Sequence, residues 1–260
     1  MVEQEIFNKE GFVVLREFLT SEELSMLAGL IDPIFSQWRK GAYKEMSEPD
    51  LVNMHSLTHI EYFKHNKEDR IRFFNSLLPR KLSTLIDMMF GEDLYFHNTQ
   101  LFFNPIKKVQ LPYWHRDLQY SPIEDSEQAR EQDKLLTLHI RIPLVEEVGV
   151  ELIPGTHRRW DTEVERNVRF KTDGHTQTED LPGATLIPLS SGDILMFSGQ
   201  MIHRGHYQHN SSRLALDLCI GRYHPFTMAY LDVQNLPTDE EINEIPNHSW
   251  YRRAKALIAK

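Results

Sequence analysis

His115 and Asp117 stand two apart in Tyr113-Trp114-His115-Arg116-Asp117, and His203 follows far downstream in His203-Arg204-Gly205. On an extended strand, residues two apart leave the same face, so one imidazole and one carboxylate can grip a single ion there. With His203 added, the set is two imidazoles and one carboxylate on one side of a metal, leaving open positions opposite. That is the donor set of a non-haem Fe(II) oxygenase rather than of a closed structural zinc site. An H-x-D tripeptide is short enough to arise by chance in many chains, so its surroundings must carry the assignment.

Those surroundings come in a definite order. A strand-like run Leu135 to Leu144 is followed by Glu151-Leu152-Ile153-Pro154-Gly155-Thr156-His157, then by Gly192-Asp193 opening the apolar run Ile194 to Phe197, then by His203 and, ten residues on, Arg213. This order resembles the phytanoyl-CoA dioxygenase family of iron- and 2-oxoglutarate-dependent oxygenases over about residues 1 to 225. In that family a tryptophan precedes H-x-D, a Pro-Gly-Ser/Thr-His turn lies between the ligand clusters, and Gly-Asp precedes the distal histidine. The resemblance implies Fe(II) held by His115, Asp117 and His203, with 2-oxoglutarate and O2 as co-substrates and Arg213 anchoring the far carboxylate of 2-oxoglutarate. It also implies oxidative decarboxylation to succinate and CO2, coupled to hydroxylation of a C–H bond in a small molecule. Related halogenases lack the carboxylate that Asp117 supplies, so halogenation is disfavoured. Two positions depart from the pattern: Asn104 precedes Pro105 where a lysine is frequent, and Gly205 stands where a serine is frequent.

Two other function classes remain open on the residues alone. One is a barrel metalloenzyme, such as a lyase, hydrolase or isomerase, that uses the same ligands without 2-oxoglutarate. The other is a non-catalytic binding protein on the same scaffold.

The elements that must position these residues follow from periodicity. The resemblance implies a mainly β protein, a double-stranded β-helix (jelly-roll, cupin-like) barrel with flanking helices. We expect one domain over 1–260, with a helical part to about 93, the barrel from 94 to 225 and an extension from 226. Thr20-Ser21-Glu22-Glu23 reads as a capping box opening a helix whose apolar face is Leu24, Leu27, Leu30, Ile31 and Ile34, with Pro33 expected to kink or end it. Residues 36–69 read mostly as loop, and a second helix runs from about Lys81 to Phe90 and stops at Gly91. From Leu94 the period is two, which puts Asn98 and Gln100 on one face. In Leu135 to Ile142, Thr137, His139 and Arg141 share a face that we place inward. Asn98, Gln100 and Thr137 are then candidates for co-substrate contacts, and His139 and Arg141 for substrate contacts. A buried Arg141 needs an anion, either a substrate carboxylate or a protein acid. On the last strand Arg213, Ala215, Asp217 and Cys219 face inward, so Asp217 could also pair with Arg213. The basic segment Arg158 to Lys171 reads as a loop able to attract an acidic substrate, and Thr238 to Lys260 as a polar terminal helix.

Composition narrows the rest. The 260 residues are 40% hydrophobic and 26% charged, which is ordinary globular composition. A formal net charge of −9 argues against nucleic-acid binding, and Cys219 is the only cysteine, so no intramolecular disulfide or Cys-rich zinc site is expected. Without a signal-like start or a long apolar run, a cytoplasmic protein off the membrane is expected; its oligomeric state is not legible. His206 and His209 are alternatives to His203, and His55, His59, His65, His97, His175, His224 and His248 read as structural.

Overall fold

The computed structural model describes residues 1–41, 52–104, 111–206, 210 and 212–259. Helix α1 (Val2–Glu10), strand β1 (Phe12–Leu15), helix α2 (Ser21–Arg39), β2 (Asn53–His55), α3 (Lys67–Leu77) and α4 (Arg80–Phe90) lead to β3 (Tyr95–Phe103). After α5 (Asp125–Glu131) come β4 (Thr137–Pro143), β5 (Glu147–Leu152), α6 (Glu163–Phe170), β6 (Thr185–Leu189), β7 (Ile194–Ser198), β8 (His203–Gly205) and β9 (Leu214–Gly221). Helices α7 (Asp239–Ile242) and α8 (Ser249–Ile258) complete the described chain.

The strands form two antiparallel sheets, six strands in the order β1-β7-β4-β9-β3-β2 and three in the order β6-β5-β8. Among the described residues the expected jelly roll is realised as two antiparallel sheets with flanking helices. In β4 the two-residue period holds: Leu138, Ile140 and Ile142 join the main core while Thr137, His139 and Arg141 line a cavity. All seven β4 residues are nevertheless buried. Helices account for this, because Leu27, Ile31 and Ile34 of α2, Leu82 and Ile86 of α4 and Trp250 and Tyr251 of α8 belong to the same core as the apolar face. Each such side chain contributes roughly 1.5–3 kcal/mol on burial.

Three local outcomes refine the sequence expectation. Helix α2 runs through Pro33 without ending. Pro33 and Gly29, whose carbonyl the ring displaces, both lie on the exposed side, where water can take the lost hydrogen bond. Within 36–69, part of which lies outside the described residues, a short strand and the start of α3 interrupt the expected loop. The Asn66 side chain caps α3 by accepting from the Asp69 backbone N–H at 3.1 Å. Within the basic segment, Glu163–Phe170 forms α6 rather than a loop. The segment's charges are largely paired: Arg169 is fully buried against Asp161, and Arg159 holds Glu165 at 2.6 Å.

The terminal helix carries an apolar face and covers the large sheet. Trp250 donates to Asp87 Oδ1 at 3.0 Å, and Tyr251 meets Phe74 and Phe96 edge-on with ring centroids 5.0 and 5.2 Å away. We predict that Trp250→Ala lowers unfolding stability by about 3–5 kcal/mol, as for other large-to-small core changes. Denaturant unfolding checks this, and a loss below about 1 kcal/mol would show that α8 is peripheral to the folding unit.

Candidate metal centre

Backbone pairing brings the two histidines together. His115 and His203 form an isolated antiparallel bridge, each N–H donating to the other's carbonyl, at 3.0 Å from His115 and 2.9 Å from His203. Their rings leave on one side with centroids 4.2 Å apart. Asp117 joins them because Arg116, between the two, is extended, with φ −113° and ψ 149°. The Arg116 side chain is buried and tied down by Asp161 Oδ1, which accepts from Nε and Nη2 at 2.9 and 2.7 Å. Its Nη1 donates to the carbonyls of Thr156 and Gln200, and its guanidinium lies 4.6 Å from the Trp160 ring centroid. With Arg116 fixed, its two neighbours have little freedom to turn away from the centre.

One donor atom each from His115, Asp117 and His203 lie within 4.8 Å of one another, the spacing expected around a single ion. Nδ1 of His115 faces the Tyr113 carbonyl at 3.2 Å and Nδ1 of His203 faces the Met201 carbonyl at 3.1 Å. A carbonyl oxygen can only accept, so the proton sits on each Nδ1 and each Nε2 presents its lone pair. Burial pushes both imidazoles below their usual range, His203 to about 3, which keeps those lone pairs unprotonated. The donor set and its tautomers fit a divalent transition metal.

Asp117 divides its oxygens. Oδ2 accepts from Nε2 of His139 at 2.8 Å, whereas Oδ1 lies 3.5 Å from Nε2 of His203. Burial alone would raise the Asp117 carboxyl, but His139 above all, then His203 and His115, hold it well below the usual carboxylate range. His139 stacks on Phe197 with ring centroids 4.9 Å apart, and its Nδ1 reaches Asp217 Oδ2 at 3.1 Å. Burial would lower this imidazole; Cys219 and the carboxylates of Asp117 and Asp217 more than offset that and hold it well above its usual value. Gly199 closes the centre from one side. A Cβ there would lie 2.3 Å from Asp117 Oδ2 and 2.6 Å from Thr137 Oγ1, so only glycine leaves the carboxylate in place.

The line of charges continues away from the metal site. Asp217 Oδ1 accepts from Arg141 at 2.8 Å, as the β4/β9 register places these residues opposite each other. Glu147 Oε1 accepts from Arg141 Nε at 2.5 Å, and Oε2 from Arg141 Nη2 at 3.1 Å and from Arg213 Nε at 3.2 Å. Arg213 meets Glu147, while Asp217, which could also have paired with it, accepts from Arg141 and faces His139. His139 and Arg141, expected to meet substrate, line the cavity but commit their polar atoms to protein carboxylates.

The cavity holds about 440 Å3 and is lined by residues of both sheets. Asn98, Gln100, Thr137, Arg213 and the three candidate ligands all border it. Gln100 accepts from Asn53 at 2.9 Å, and Thr137 accepts from Gln200 Nε2 at 3.0 Å beside Asp117. His206 turns instead to Glu151 at 2.9 Å, and His209 lies outside the described residues. Several lining residues were not anticipated: Tyr113, Tyr120, Tyr230 and His97. Tyr113 had a signal, because it stands two before His115 and shares its face. His97 had none, since it reaches the cavity only through a bulge that breaks the β3/β9 register between Phe96 and Asn98.

Comparison with known proteins adds a family. The phytanoyl-CoA dioxygenase (PhyH) family model matches residues 7–215. The chain belongs to this family. Its members are dioxygenases that use Fe(II), 2-oxoglutarate and O2. No match to a curated protein sequence was found. Similar crystal structures include EctD from S. alaskensis with 2-oxoglutarate and 5-hydroxyectoine (TM-score 0.61, 16% identity, covering 85% of this chain and 75% of that chain). Another is the non-haem α-ketoglutarate-dependent epimerase SnoN from nogalamycin biosynthesis (TM-score 0.55, 16% identity, 89% and 87%). A third is HygX from Streptomyces hygroscopicus with nickel and 2-oxoglutarate bound (TM-score 0.61, 13% identity, 85% and 86%). At these identities the structural likeness establishes the cupin-like jelly-roll fold of the family, and the chain falls in the general class of iron- and 2-oxoglutarate-dependent oxygenases. Among the described residues no helix is long and apolar enough to cross a membrane.

Arg141 gives a test of the charge line. Replacing it leaves Glu147 and Asp217 buried with half their compensation, so Arg141→Met should cost about 3–5 kcal/mol of stability, the usual result of removing one partner from a buried ion pair. Urea unfolding measures it, and a variant as stable as the parent would show that the pairs carry no net weight.

Proposed function

We propose that the protein is an Fe(II)- and 2-oxoglutarate-dependent dioxygenase that hydroxylates a C–H bond of a small molecule. The observation that carries this is that one donor atom each from His115, Asp117 and His203 lie within 4.8 Å of one another in a cavity that Arg213 also lines. His115, Asp117 and His203 would hold the metal. When bound, iron together with 2-oxoglutarate and O2 supplies the oxidant for an unactivated C–H bond, with release of succinate and CO2.

The chain's own residues do the orienting. His139 holds one Asp117 oxygen by hydrogen bond and so leaves the other for the metal, a positioning role rather than a substrate contact. Arg213 takes the far carboxylate of 2-oxoglutarate, since a guanidinium can bind a carboxylate by two parallel hydrogen bonds. Gln100, opposite Asp217 in the β3/β9 register, is placed to contact the co-substrate, with Asn98 on the same strand face. Thr137, held by Gln200, borders the metal end. Because Arg141 is engaged by Glu147 and Asp217, an anionic substrate would not find it available, and we assign substrate contact to Tyr113, Tyr120, Tyr230 and neutral His97. Burial, with a contribution from His139, pushes the His97 imidazole down to about 3. A cavity of about 440 Å3 suits a small metabolite beside the co-substrate.

The EctD structure, which holds 2-oxoglutarate and 5-hydroxyectoine, supports hydroxylation, and SnoN shows that the same fold also carries an epimerase. Product mass separates the two, because hydroxylation adds one oxygen atom and epimerisation adds none.

The first measurement is made without oxygen. Metal-free protein given Fe(II) and 2-oxoglutarate should develop the weak visible charge-transfer band of the chelate only when both are present. Arg213→Ala should raise the 2-oxoglutarate needed by roughly tenfold or more, as expected for loss of a charged hydrogen-bonded pair. Asp117→Ala should weaken iron binding and lose succinate formation. A parent protein that shows no band yet binds zinc or manganese tightly would instead mark a metalloenzyme independent of 2-oxoglutarate.

A further inference from the structure

Glu147 touches Arg213, with Oε2 3.2 Å from Nε, and it does so from a fixed position. Arg141 grips it through two nitrogens, at 2.5 and 3.1 Å, while Asp217 occupies another nitrogen of that arginine at 2.8 Å. Both Glu147 and Arg213 are buried, and burial, which would raise the Glu147 carboxyl, is outweighed by Arg141 and Arg213, so it is held low and stays ionised. Arg141 and Arg213 lie with their guanidinium carbons 5.0 and 5.6 Å from the centroid of the same Phe102 ring. Two guanidinium groups, one shared carboxylate and Asp217 thus form a set whose formal charges already balance.

We propose that Glu147 is a built-in counter-carboxylate of Arg213 that sets how tightly, and how selectively, the site accepts a dicarboxylate co-substrate. The inference rests on the assignment of Arg213 to the far carboxylate of 2-oxoglutarate. Glu147 uses Nε of Arg213, at 3.2 Å, and not the terminal nitrogens that a bidentate ligand grips end-on. An arriving carboxylate therefore shares the guanidinium with Glu147 instead of displacing it. In a buried site like charges repel and are weakly screened, so the arriving carboxylate meets an arginine that is already partly neutralised. The internal carboxylate lowers affinity for 2-oxoglutarate and leaves affinity for a 2-oxo acid without the far carboxylate unaffected. In this way it narrows the advantage that Arg213 confers.

The test compares 2-oxoglutarate with 2-oxopentanoate, which has the same chain length and no far carboxylate. Dissociation constants are read from the charge-transfer band of the iron-loaded, oxygen-free protein, so turnover is not needed. Glu147→Gln should tighten 2-oxoglutarate by about tenfold, the low end of what a neighbouring charge does to a buried ionic equilibrium, and leave 2-oxopentanoate unchanged. Unchanged or weaker 2-oxoglutarate binding would overturn the proposal, and a parallel shift of both ligands would do so by marking a general structural effect. If Glu147→Gln does not fold, Glu147→Asp, which keeps the charge beside Arg141 and draws the carboxylate back from Arg213 by one methylene, should tighten 2-oxoglutarate in the same direction by a smaller factor, with the same refuting outcomes. Arg213→Met tests the underlying assignment separately. It should abolish the preference for 2-oxoglutarate over 2-oxopentanoate, and a preference that survives would refute Arg213 as the anchor whatever Glu147 does.

Discussion

A charge buried in a low-dielectric cavity must be matched by an opposite charge within a few ångströms, and the functional part of this structure depends on that constraint. Asp117, His139, Asp217, Arg141, Glu147 and Arg213 form a continuous sequence of contacts between 2.5 and 3.2 Å, from the candidate metal ligand to the candidate co-substrate anchor. Cationic and anionic partners alternate along it, with the His139 imidazole held well above its usual value by Cys219 and the carboxylates of Asp117 and Asp217. Each group is fixed by its neighbours on either side. The side chains that orient the metal-binding carboxylate and those that orient the anchoring guanidinium thus belong to one electrostatic unit.

Geometry at the metal end is set by backbone rather than by side-chain choice. The reciprocal bridge between His115 and His203 fixes two ligands in one step, and the extended Arg116 delivers the third. Arg116 contributes by being immobile: nearly all its donors are engaged on the far side of the strand. The two flanking backbone carbonyls then choose the histidine tautomers. A glycine at 199 supplies the space in which Asp117 and Thr137 approach the turn before β8.

The apolar layer explains why such a polar interior is tolerated. Outward-facing leucines and isoleucines of β4 and β9 are covered by α2, α4 and α8 as one core. That core holds the strands in register, and the register places Arg141 opposite Asp217 and His139 opposite Cys219. Membership of the phytanoyl-CoA dioxygenase family is consistent with this division between a helix-covered sheet and a functional cavity.

Local order and periodicity pointed to the pairing of His115 with Asp117 on one face, the inward face of β4, the inward positions of Asp217 and Cys219, and the capping box of α2, and the family resemblance added His203 as the third candidate ligand. The former depend on residues two apart on a strand or three apart at a helix start, and such relations survive in one dimension. What tertiary structure alone decided was which charges meet. Glu146 and Glu147 are adjacent and identical in type, yet Glu146 is exposed and Glu147 is buried between two arginines. Arg213 therefore meets Glu147 of the other sheet, across from its own strand face. Arg141 meets protein acids for the same reason, and His97 enters the cavity because of a bulge that no periodic pattern encodes. Tyr230 arrives from a turn after the last strand. Contacts between sheets are set by how the two sheets pack and where their turns fall, and that information is spread over the whole chain rather than carried by the residues that meet.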